Sequence, residues 1–233
     1  MTRPRPVVAI DGPAGAGKST VAKGVAAALG YTLVDTGSLY RAVALLAKQR
    51  GVDFGDPAGV ERAARVAVAS GELRLGRAAN NVTRVLLDGD DPGDRIRTPE
   101  MSMGASTVSA YHGVREALLD AQRQFGAEGA VVLEGRDIGT VVFPDAEVKV
   151  FLTASAEVRA RRRFEELTAK GVAATWEETL DEVTRRDTQD SSRAIAPLRQ
   201  ADGAALVDSS AMAPSAVIEV IAAMARAKDP DAR

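Results

Sequence analysis

The chain has 233 residues, of which 45% are hydrophobic, and is therefore long enough to bury one substantial core. Its net charge of -2 gives no overall attraction to nucleic acid or to a membrane surface, and no apolar run is long enough to span a bilayer. Cysteine is absent, which excludes a disulfide framework and thiolate metal sites. The amino terminus lacks the apolar stretch of a secretory signal, so we expect a cytoplasmic protein.

Short apolar runs alternate with amphipathic helical patterns along the chain. This alternation predicts an α/β fold, a doubly wound five-stranded parallel sheet with helices on both faces. The predicted strands are Val7–Asp11, Thr32–Asp35, Val131–Glu134, Val148–Leu152 and Ala204–Val207. The predicted helices are Lys18–Leu29, Ser38–Arg50, Thr107–Phe125, Ala156–Lys170, Trp176–Asp187 and Ala213–Ala227. Because the strands are parallel, the loops after their carboxyl ends lie at one functional edge.

The first strand and helix are joined by a glycine-rich phosphate-binding loop (P-loop), Gly12-Pro13-Ala14-Gly15-Ala16-Gly17-Lys18-Ser19-Thr20. Its glycines let consecutive backbone N–H groups point inward, and the following helix adds the positive end of its dipole. Lys18 can then reach the β- and γ-phosphates, and Ser19 can hold Mg²⁺. The loop predicts a nucleoside triphosphate substrate; the alternative is an ordinary glycine-rich turn.

The second strand is followed by Thr36, a hydroxyl donor, and by Arg41, which is within reach of an acceptor phosphate. The alternative is that Thr36 or Ser38 only caps the helix and that Arg41 is solvated. Farther along, Glu72–Leu75 and Val82–Asp88 flank Asn80-Asn81 and predict a small antiparallel insertion.

The third junction crowds charged residues after a buried strand, in Glu134-Gly135-Arg136-Asp137-Ile138-Gly139-Thr140. Beside a P-loop, this group can bind phosphate, read a base or orient Mg²⁺ through water, although a buried structural ion pair is the alternative. Ser106 and Arg115 flank the start of the preceding long helix and, taken alone, are ordinary polar helix residues.

Two arginine-rich segments follow the fourth strand. Arg159, Arg162 and Arg163 share one helix face that can close over a triphosphate, unless they form a solvated face paired with nearby glutamates. The second segment ends a helix and contains Arg186, Asp190 and Arg193; a solvated helix end is its alternative. His112 has no visible catalytic partner, and we expect the polar tail, Lys228–Arg233, to be frayed.

A P-loop also occurs in GTPases, transport ATPases and small-molecule kinases, and the rest of the chain selects among these classes. It contains no Asn-Lys-x-Asp to read guanine, and its Asp-x-x-Gly at Asp90 lies in the predicted insertion. These features argue against a GTPase. The loop acids and arginines instead suit a second phosphate-bearing molecule.

Taken together, GPAGAGKST, DTGSLYR, VREALL, EGRDIGTVVFPDA and RRDxxDSSRAIAPL resemble, in order and spacing, the bacterial cytidylate kinases, a nucleoside monophosphate kinase family. The resemblance covers nearly the whole chain. One departure is Glu134, where the family more often has Asp before Gly-Arg-Asp.

The resemblance implies roles for matching residues. Gly12 to Thr20 would bind ATP, with Arg159, Arg162 and Arg163 in a lid over its phosphates. The acceptor phosphate would lie among Thr36, Arg41, Arg136 and Arg193, and cytosine would be read by Ser106, Arg115 and Asp137. Arg186 and Asp190 would contact the sugar hydroxyls. The expected catalytic set is Lys18, Arg136, Asp137, Arg162 and Arg193, with Ser19 on Mg²⁺.

The resemblance also implies three regions. Residues 1–37, 105–154 and 173–233 would form the ATP-binding core, 38–104 the acceptor-binding region and 155–172 the lid. The expected partners are ATP and CMP or dCMP, without nucleic acid or membrane, and we expect a monomer in pyrimidine metabolism.

The implied reaction is transfer of the γ-phosphoryl group of ATP to CMP or dCMP. Its acceptor oxygen is already anionic, so no general base is required. A kinase acting on UMP, dTMP or a hydroxyl such as that of shikimate is the nearest rival, and a non-catalytic nucleotide-binding regulator is the rival from another class.

Replacing Lys18 by Met should leave the fold intact and lower turnover by orders of magnitude, because it removes the fixed cation expected at the β- and γ-phosphates. Circular dichroism and an ADP-release assay would check both points. Near-normal activity in the folded variant would contradict the P-loop assignment.

Overall fold

The computed structural model describes residues 3–77, 82–169 and 171–229, and it confirms the predicted α/β architecture. The strands are β1 Val7–Asp11, β2 Thr32–Asp35, β3 Leu73–Arg77, β4 Thr83–Leu87, β5 Val131–Gly135, β6 Val148–Thr153 and β7 Ala205–Asp208. Five of them form a parallel sheet in the order β2-β5-β1-β6-β7. In its centre, Val8 of β1 lies opposite Val132 and Val148.

The α-helices in the described ranges are α1 Lys18–Leu29, α2 Thr36–Gln49, α3 Pro57–Ala69, α4 Pro99–Val108, α5 His112–Gly126, α6 Ala156–Ala169, α7 Trp176–Ser191 and α8 Pro214–Arg226. They cover both faces of the sheet. Strand β1 alternates between two cores: Val7 and Ala9 pack toward α2 to α5, whereas Val8 and Ile10 pack toward α1 and α8. Its full burial fixes the P-loop that follows.

The predicted antiparallel insertion is confirmed by β3 and β4, which pair with Leu73 opposite Leu87. The hairpin is joined to the main sheet by a hydrogen bond from Thr83 Oγ1 to the Leu33 carbonyl oxygen at 3.0 Å. Its predicted turn, Asn80-Asn81, lies outside the described residues.

The predicted helix Thr107–Phe125 was wrong, because two helices, α4 and α5, occupy this stretch. In one continuous helix the Gly113 N–H would bond to the Ser109 carbonyl. Instead Gly113 donates to Glu61 Oε1 at 2.8 Å, and the Ser109 carbonyl accepts from Arg115 at 3.0 Å. Two contacts from outside the helical ladder therefore replace the bond that would have continued it.

Helix α3 is a further difference, since no helix was predicted there. Asp56 caps it by accepting from the Gly59 N–H at 3.1 Å, and Pro57 occupies its first turn. The buried residues Val60, Ala63, Ala64 and Ala67 have helical spacing. The sequence signal for α3 was therefore present.

The expectation of a frayed tail was wrong at Asp229. This carboxylate is 9% exposed and accepts from the Tyr31 hydroxyl at 2.6 Å. Residues 230–233 lie outside the described ranges. None of the helices in those ranges has the length and apolarity needed to cross a membrane.

Gly12 connects β1 to the P-loop with a φ of 155°, and a Cβ there would lie 1.9 Å from the Leu152 carbonyl oxygen. We predict that Gly12→Ala lowers the free energy of unfolding by about 3 kcal/mol or more, because backbone must move. Gly30→Ala is the matched control: its φ is also positive but the space is open, so strain of about 1–2 kcal/mol is expected. Urea unfolding of both variants would check this; equal losses would contradict the proposed clash.

Candidate functional site

A cavity of about 870 Å³ opens at the carboxyl ends of the parallel strands. The P-loop forms one side, α2, α4 and α5 form another, and α6 and α7 close the rest. Most of the predicted site residues line it: Ala14, Gly15, Ala16, Gly17, Lys18, Ser19, Thr20, Thr36, Arg41, Ser106, Arg115, Arg136, Asp137, Arg162, Arg163, Arg186, Asp190 and Arg193. Gly12, Pro13 and Arg159 are predicted site residues that are not among the lining residues.

The Lys18 ammonium group lies folded back on its own loop. Its Nζ donates to the Pro13 carbonyl oxygen at 2.7 Å, and the side chain is 7% exposed. Burial, and then the nearby Arg136, lower the pKa of Lys18 well below its ordinary value. An anion in the cavity would favour the charged ammonium, so this position suits a phosphate.

Glu134 and Ser19 form a pair of oxygen-bearing side chains beside Lys18. The Ser19 hydroxyl donates to Glu134 Oε2 at 2.9 Å. Burial, followed by the charge of Asp35, raises the pKa of Glu134 to about 7. Hydroxyl and carboxylate oxygens are suitable ligands for Mg²⁺, and a divalent cation would relieve the unfavourable negative charge here. The residues present therefore fit a magnesium ion.

Asp11, at the end of β1, holds the third junction, residues 134–140, in place. The sequence analysis did not identify it as a site residue. Its carboxylate accepts from the Ile138 N–H at 2.8 Å and from the Gly139 N–H at 2.7 Å. These two residues begin a π-helical turn, Ile138–Val142. The last residue of β1 thus sets the position of the segment containing Arg136 and Asp137.

Arg115 and Asp137 form a buried ion pair in the cavity wall, with exposures of 8% and 4%. Arg115 also donates to the Ser109 carbonyl at 3.0 Å and lies over the Tyr40 ring, 5.6 Å from its centroid. The pair presents one carboxylate and one guanidinium in a fixed arrangement. Such an arrangement can recognise a ring with both a donor and an acceptor at its edge.

Asp190 on α7 gathers two arginines from different segments. Its carboxylate accepts from Arg136 Nε at 2.7 Å and also from Arg193. Burial raises the pKa of Asp190, but the charges of Arg136 and then Arg193 lower it below its ordinary value. Arg193 Nε is buried without a hydrogen-bond partner in the described residues, and it therefore has an unused donor.

The other predicted acceptor-side residues also make contacts within the protein. Arg41 pairs with Asp35 at 2.9 Å, and the Thr36 hydroxyl donates to the Glu134 carbonyl oxygen at 2.6 Å. Ser106 on α4 donates to Gln189 on α7 at 3.1 Å. Arg186 lines the same side, and burial, then Arg136, lower its pKa.

The three predicted lid arginines do not behave alike. Arg162 donates to the Ser209 carbonyl oxygen at 2.7 Å, and Arg163 donates to Glu166 at 3.1 Å; both line the cavity. Arg159 differs from the other two: it is 4% exposed and forms a bidentate pair with Asp187. Unlike Arg162 and Arg163, it is not among the residues that line the cavity.

Sequence reasoning missed three acids that position the site: Asp35 and Asp187, which pair with arginines, and Asp11, which accepts from two backbone N–H groups. Asp35 could have been found, since it caps α2 by accepting from the Ser38 N–H at 3.2 Å, a three-residue spacing typical of caps. Asp11 and Asp187 act on residues distant in the chain, and no local pattern indicates their partners. The single histidine, His112, is an exposed residue paired with Glu116.

A P-loop facing a second cluster of arginines, at the carboxyl edge of a parallel sheet, defines a P-loop kinase that holds two phosphate-bearing molecules. The particular family follows from comparison with known proteins: the family model described as "Cytidylate kinase" matches residues 8–227. The chain belongs to this family, and is thus an ATP-dependent kinase of CMP or dCMP.

Curated relatives agree. A cytidylate kinase from Citrifermentans bemidjiense is 50% identical over 92% of this chain and 90% of its own. Others from Geobacter sp. (strain M21) and Pseudomonas aeruginosa (strain UCBPP-PA14) are 51% and 48% identical, over 92% and 93% of this chain and 90% and 93% of theirs. The crystal structure of TT1252 from Thermus thermophilus is 19% identical, with a TM-score of 0.45 over 97% of this chain and 98% of that chain, which is too distant to inform the site.

The stability of the protein should depend on pH through the carboxyl group of Asp11. Burial outweighs its two backbone hydrogen bonds and raises its pKa from 3.8 to about 6. Because the folded state binds the proton more tightly than the unfolded state, this contribution to stability is present below pH 4 and is lost as the pH rises to about 6.

We predict that the free energy of unfolding of wild type, minus that of Asp11→Asn, falls by on the order of 2–3 kcal/mol between pH 4 and pH 7. Asparagine cannot titrate, and other groups cancel in the difference. Urea unfolding at both pH values would check this. A difference that stays constant with pH would contradict the raised pKa.

Proposed function

We propose that the cavity holds Mg²⁺-ATP and CMP or dCMP together, and that its charged residues divide into a donor side and an acceptor side. Arg136 and Arg193 both pair with the Asp190 carboxylate, and Arg136 lies near Lys18 of the P-loop. This arrangement most strongly supports the division. Two cation groups so close together suit two phosphate groups that react with each other.

On the donor side, the P-loop backbone and Lys18 bind the ATP phosphates, with Arg162 and Arg163 covering them from α6. Lys18 exchanges its contact with the Pro13 carbonyl for the β- and γ-phosphates. Ser19 would hold Mg²⁺, with Glu134 beside it, and the ion would neutralise charge on the β- and γ-phosphate oxygens. Arg159 takes no part in this contact.

On the acceptor side, Arg41, Arg136 and Arg193 surround the CMP phosphate. Each is paired with a carboxylate, Asp35 or Asp190, so phosphate binding replaces or shares existing ion pairs. The unused Nε of Arg193 supplies one donor without breaking a bond. Thr36 contributes after its hydroxyl turns from the Glu134 carbonyl.

The nucleoside part of CMP lies against α4, α5 and α7. Asp137 accepts from the cytosine amino group, and Arg115 and Ser106 hold the rest of the base edge. Arg186 and Asp190 contact the sugar hydroxyls. These positions all line the same cavity, where the Asp137 carboxylate is paired with Arg115.

Transfer then requires alignment and charge neutralisation. The acceptor phosphate oxygen is anionic and attacks the γ-phosphorus in line, so no side chain has to remove a proton. The lid, residues 155–172, and the acceptor region, 38–104, exclude water that would otherwise hydrolyse ATP. Residues 1–37, 105–154 and 173–233 form the core, and the enzyme works as a cytoplasmic monomer.

An ADP-release assay against CMP, dCMP, UMP, dTMP and shikimate tests this function. We expect CMP and dCMP to be the best acceptors. Preference for shikimate would indicate a hydroxyl kinase and preference for UMP or dTMP a different base, either of which would contradict the proposal. Nucleotide binding without ADP release would indicate a regulator instead.

Base selection gives the sharpest check of the acceptor side. Uracil has a carbonyl where cytosine has its amino group, and a good contact to that group is worth about 1–3 kcal/mol. We therefore predict that Asp137→Asn and Ser106→Ala each narrow the CMP-to-UMP ratio of kcat/KM by about tenfold.

Ser102→Ala is the matched control for this prediction. Ser102 lines the same cavity one helical turn earlier on α4, and its hydroxyl donates to the Thr98 carbonyl. This variant should keep the wild-type ratio. If Asp137→Asn and Ser106→Ala also keep it, the base is read by other residues.

A further inference from the structure

Arg159 and Asp187 join three parts of the protein that lie far apart in the chain. Arg159 Nε donates to the carbonyl oxygen of Ala154, the residue just after β6, at 2.8 Å. One terminal nitrogen donates to the Ala14 carbonyl of the P-loop at 3.1 Å and to Asp187 at 2.9 Å, and the other donates to Asp187 at 2.5 Å. The guanidinium thus contacts the sheet edge, the P-loop and α7 at once.

The contact with the P-loop leaves little room for movement. A Cβ at Gly15 would lie 3.0 Å from Arg159 Cβ and 3.1 Å from the Arg159 carbonyl oxygen. The loop therefore packs directly on the first turn of α6, where Arg159 is buried. A shift of Arg159 would be transmitted to the backbone that is proposed to bind the ATP phosphates.

Asp187 lies on the helix that carries the acceptor side. Arg186 is its neighbour and Asp190 is one turn farther along α7. Asp190 in turn holds Arg136 and Arg193. One continuous set of hydrogen bonds consequently runs from the P-loop through Arg159, Asp187 and α7 to the acceptor arginines.

We propose that Asp187 is a positioning residue which, through Arg159, fixes the acceptor-binding end of α7 relative to the P-loop. The inference rests on the proposed function of the two sides. Asp187 contacts neither nucleotide; it sets the distance between the γ-phosphate and the attacking oxygen. A displacement of about 1 Å in such a geometry lowers the transfer rate about 100-fold.

Loss of the pair should therefore affect transfer more than binding. Substituting Asp187 removes no side chain that is proposed to contact either nucleotide. We expect Asp187→Asn to lower kcat about 100-fold, while the dissociation constants of ATP and of CMP, measured separately by calorimetry, change by less than about threefold. Asp187→Glu, which restores the charge on a longer arm, should recover part of the loss.

Thr175→Ala is the control for a general weakening of α7. Thr175 forms the capping box of this helix with Glu178 and lies outside the cavity lining. It should lower the melting temperature and leave kcat within about twofold of wild type. If Asp187→Asn lowers kcat no more than Thr175→Ala does, Asp187 has only a structural role and the inference is overturned.

A double-variant cycle tests whether the two residues act as one unit. Arg159→Lys keeps the charge but cannot form the bidentate pair. The double variant, Arg159→Lys with Asp187→Asn, should have a kcat no lower than that of the slower single variant. If the losses in kcat of the two single variants multiply in the double variant, or if Arg159→Lys greatly increases the dissociation constant of ATP, Arg159 instead contacts the ATP phosphates. Either result would contradict the inference.

The wild-type assay separates this inference from the proposed function. Wild type that releases no ADP with CMP would refute the function itself. Active wild type with an equally active, folded Asp187→Asn would refute only the positioning role.

Discussion

Basic side chains that must hold two polyanions repel one another when no phosphate is present, and the site is organised around this constraint. Asp190 holds Arg136 and Arg193, and Asp35 holds Arg41. Like charges confined at short distance in a poorly solvated cavity would otherwise be strongly unfavourable. The acids keep the cations in place before substrates arrive. When a nucleotide binds, its phosphate groups replace these carboxylates as partners of the arginines. A ligand without phosphate cannot make this exchange and would bind weakly.

The parallel sheet makes this arrangement possible because it brings distant segments to one edge. Asp11 at the end of β1 holds the turn after β5 through two backbone N–H groups, and the P-loop starts at the next residue. Donor and acceptor elements therefore share one buried strand as their support. The insertion β3-β4 attaches beside β2, away from the central strand, and leaves this support unchanged.

Much of this follows from local sequence, and the rest depends on long-range contacts. Buried strands, the P-loop and the antiparallel insertion have short patterns that predicted them, and α3 had a pattern that was overlooked. The break before α5 had no such pattern, because side-chain contacts from Glu61 and Arg115 replace the backbone hydrogen bond that would have continued the helix. Helical spacing placed Arg159 on a face with Arg162 and Arg163, but it could not reveal Asp187, a partner 28 positions away.

Catalysis by alignment alone requires that no side chain carries the phosphoryl group. The chain contains no cysteine, its single histidine is exposed, and Asp137 and Asp190 are each engaged by arginines. ATP with a chiral, isotopically labelled γ-phosphoryl group tests this most directly. Transfer to CMP in one in-line step predicts inversion of configuration at phosphorus. Retention would show two successive displacements through a phosphorylated side chain and would contradict the proposed mechanism.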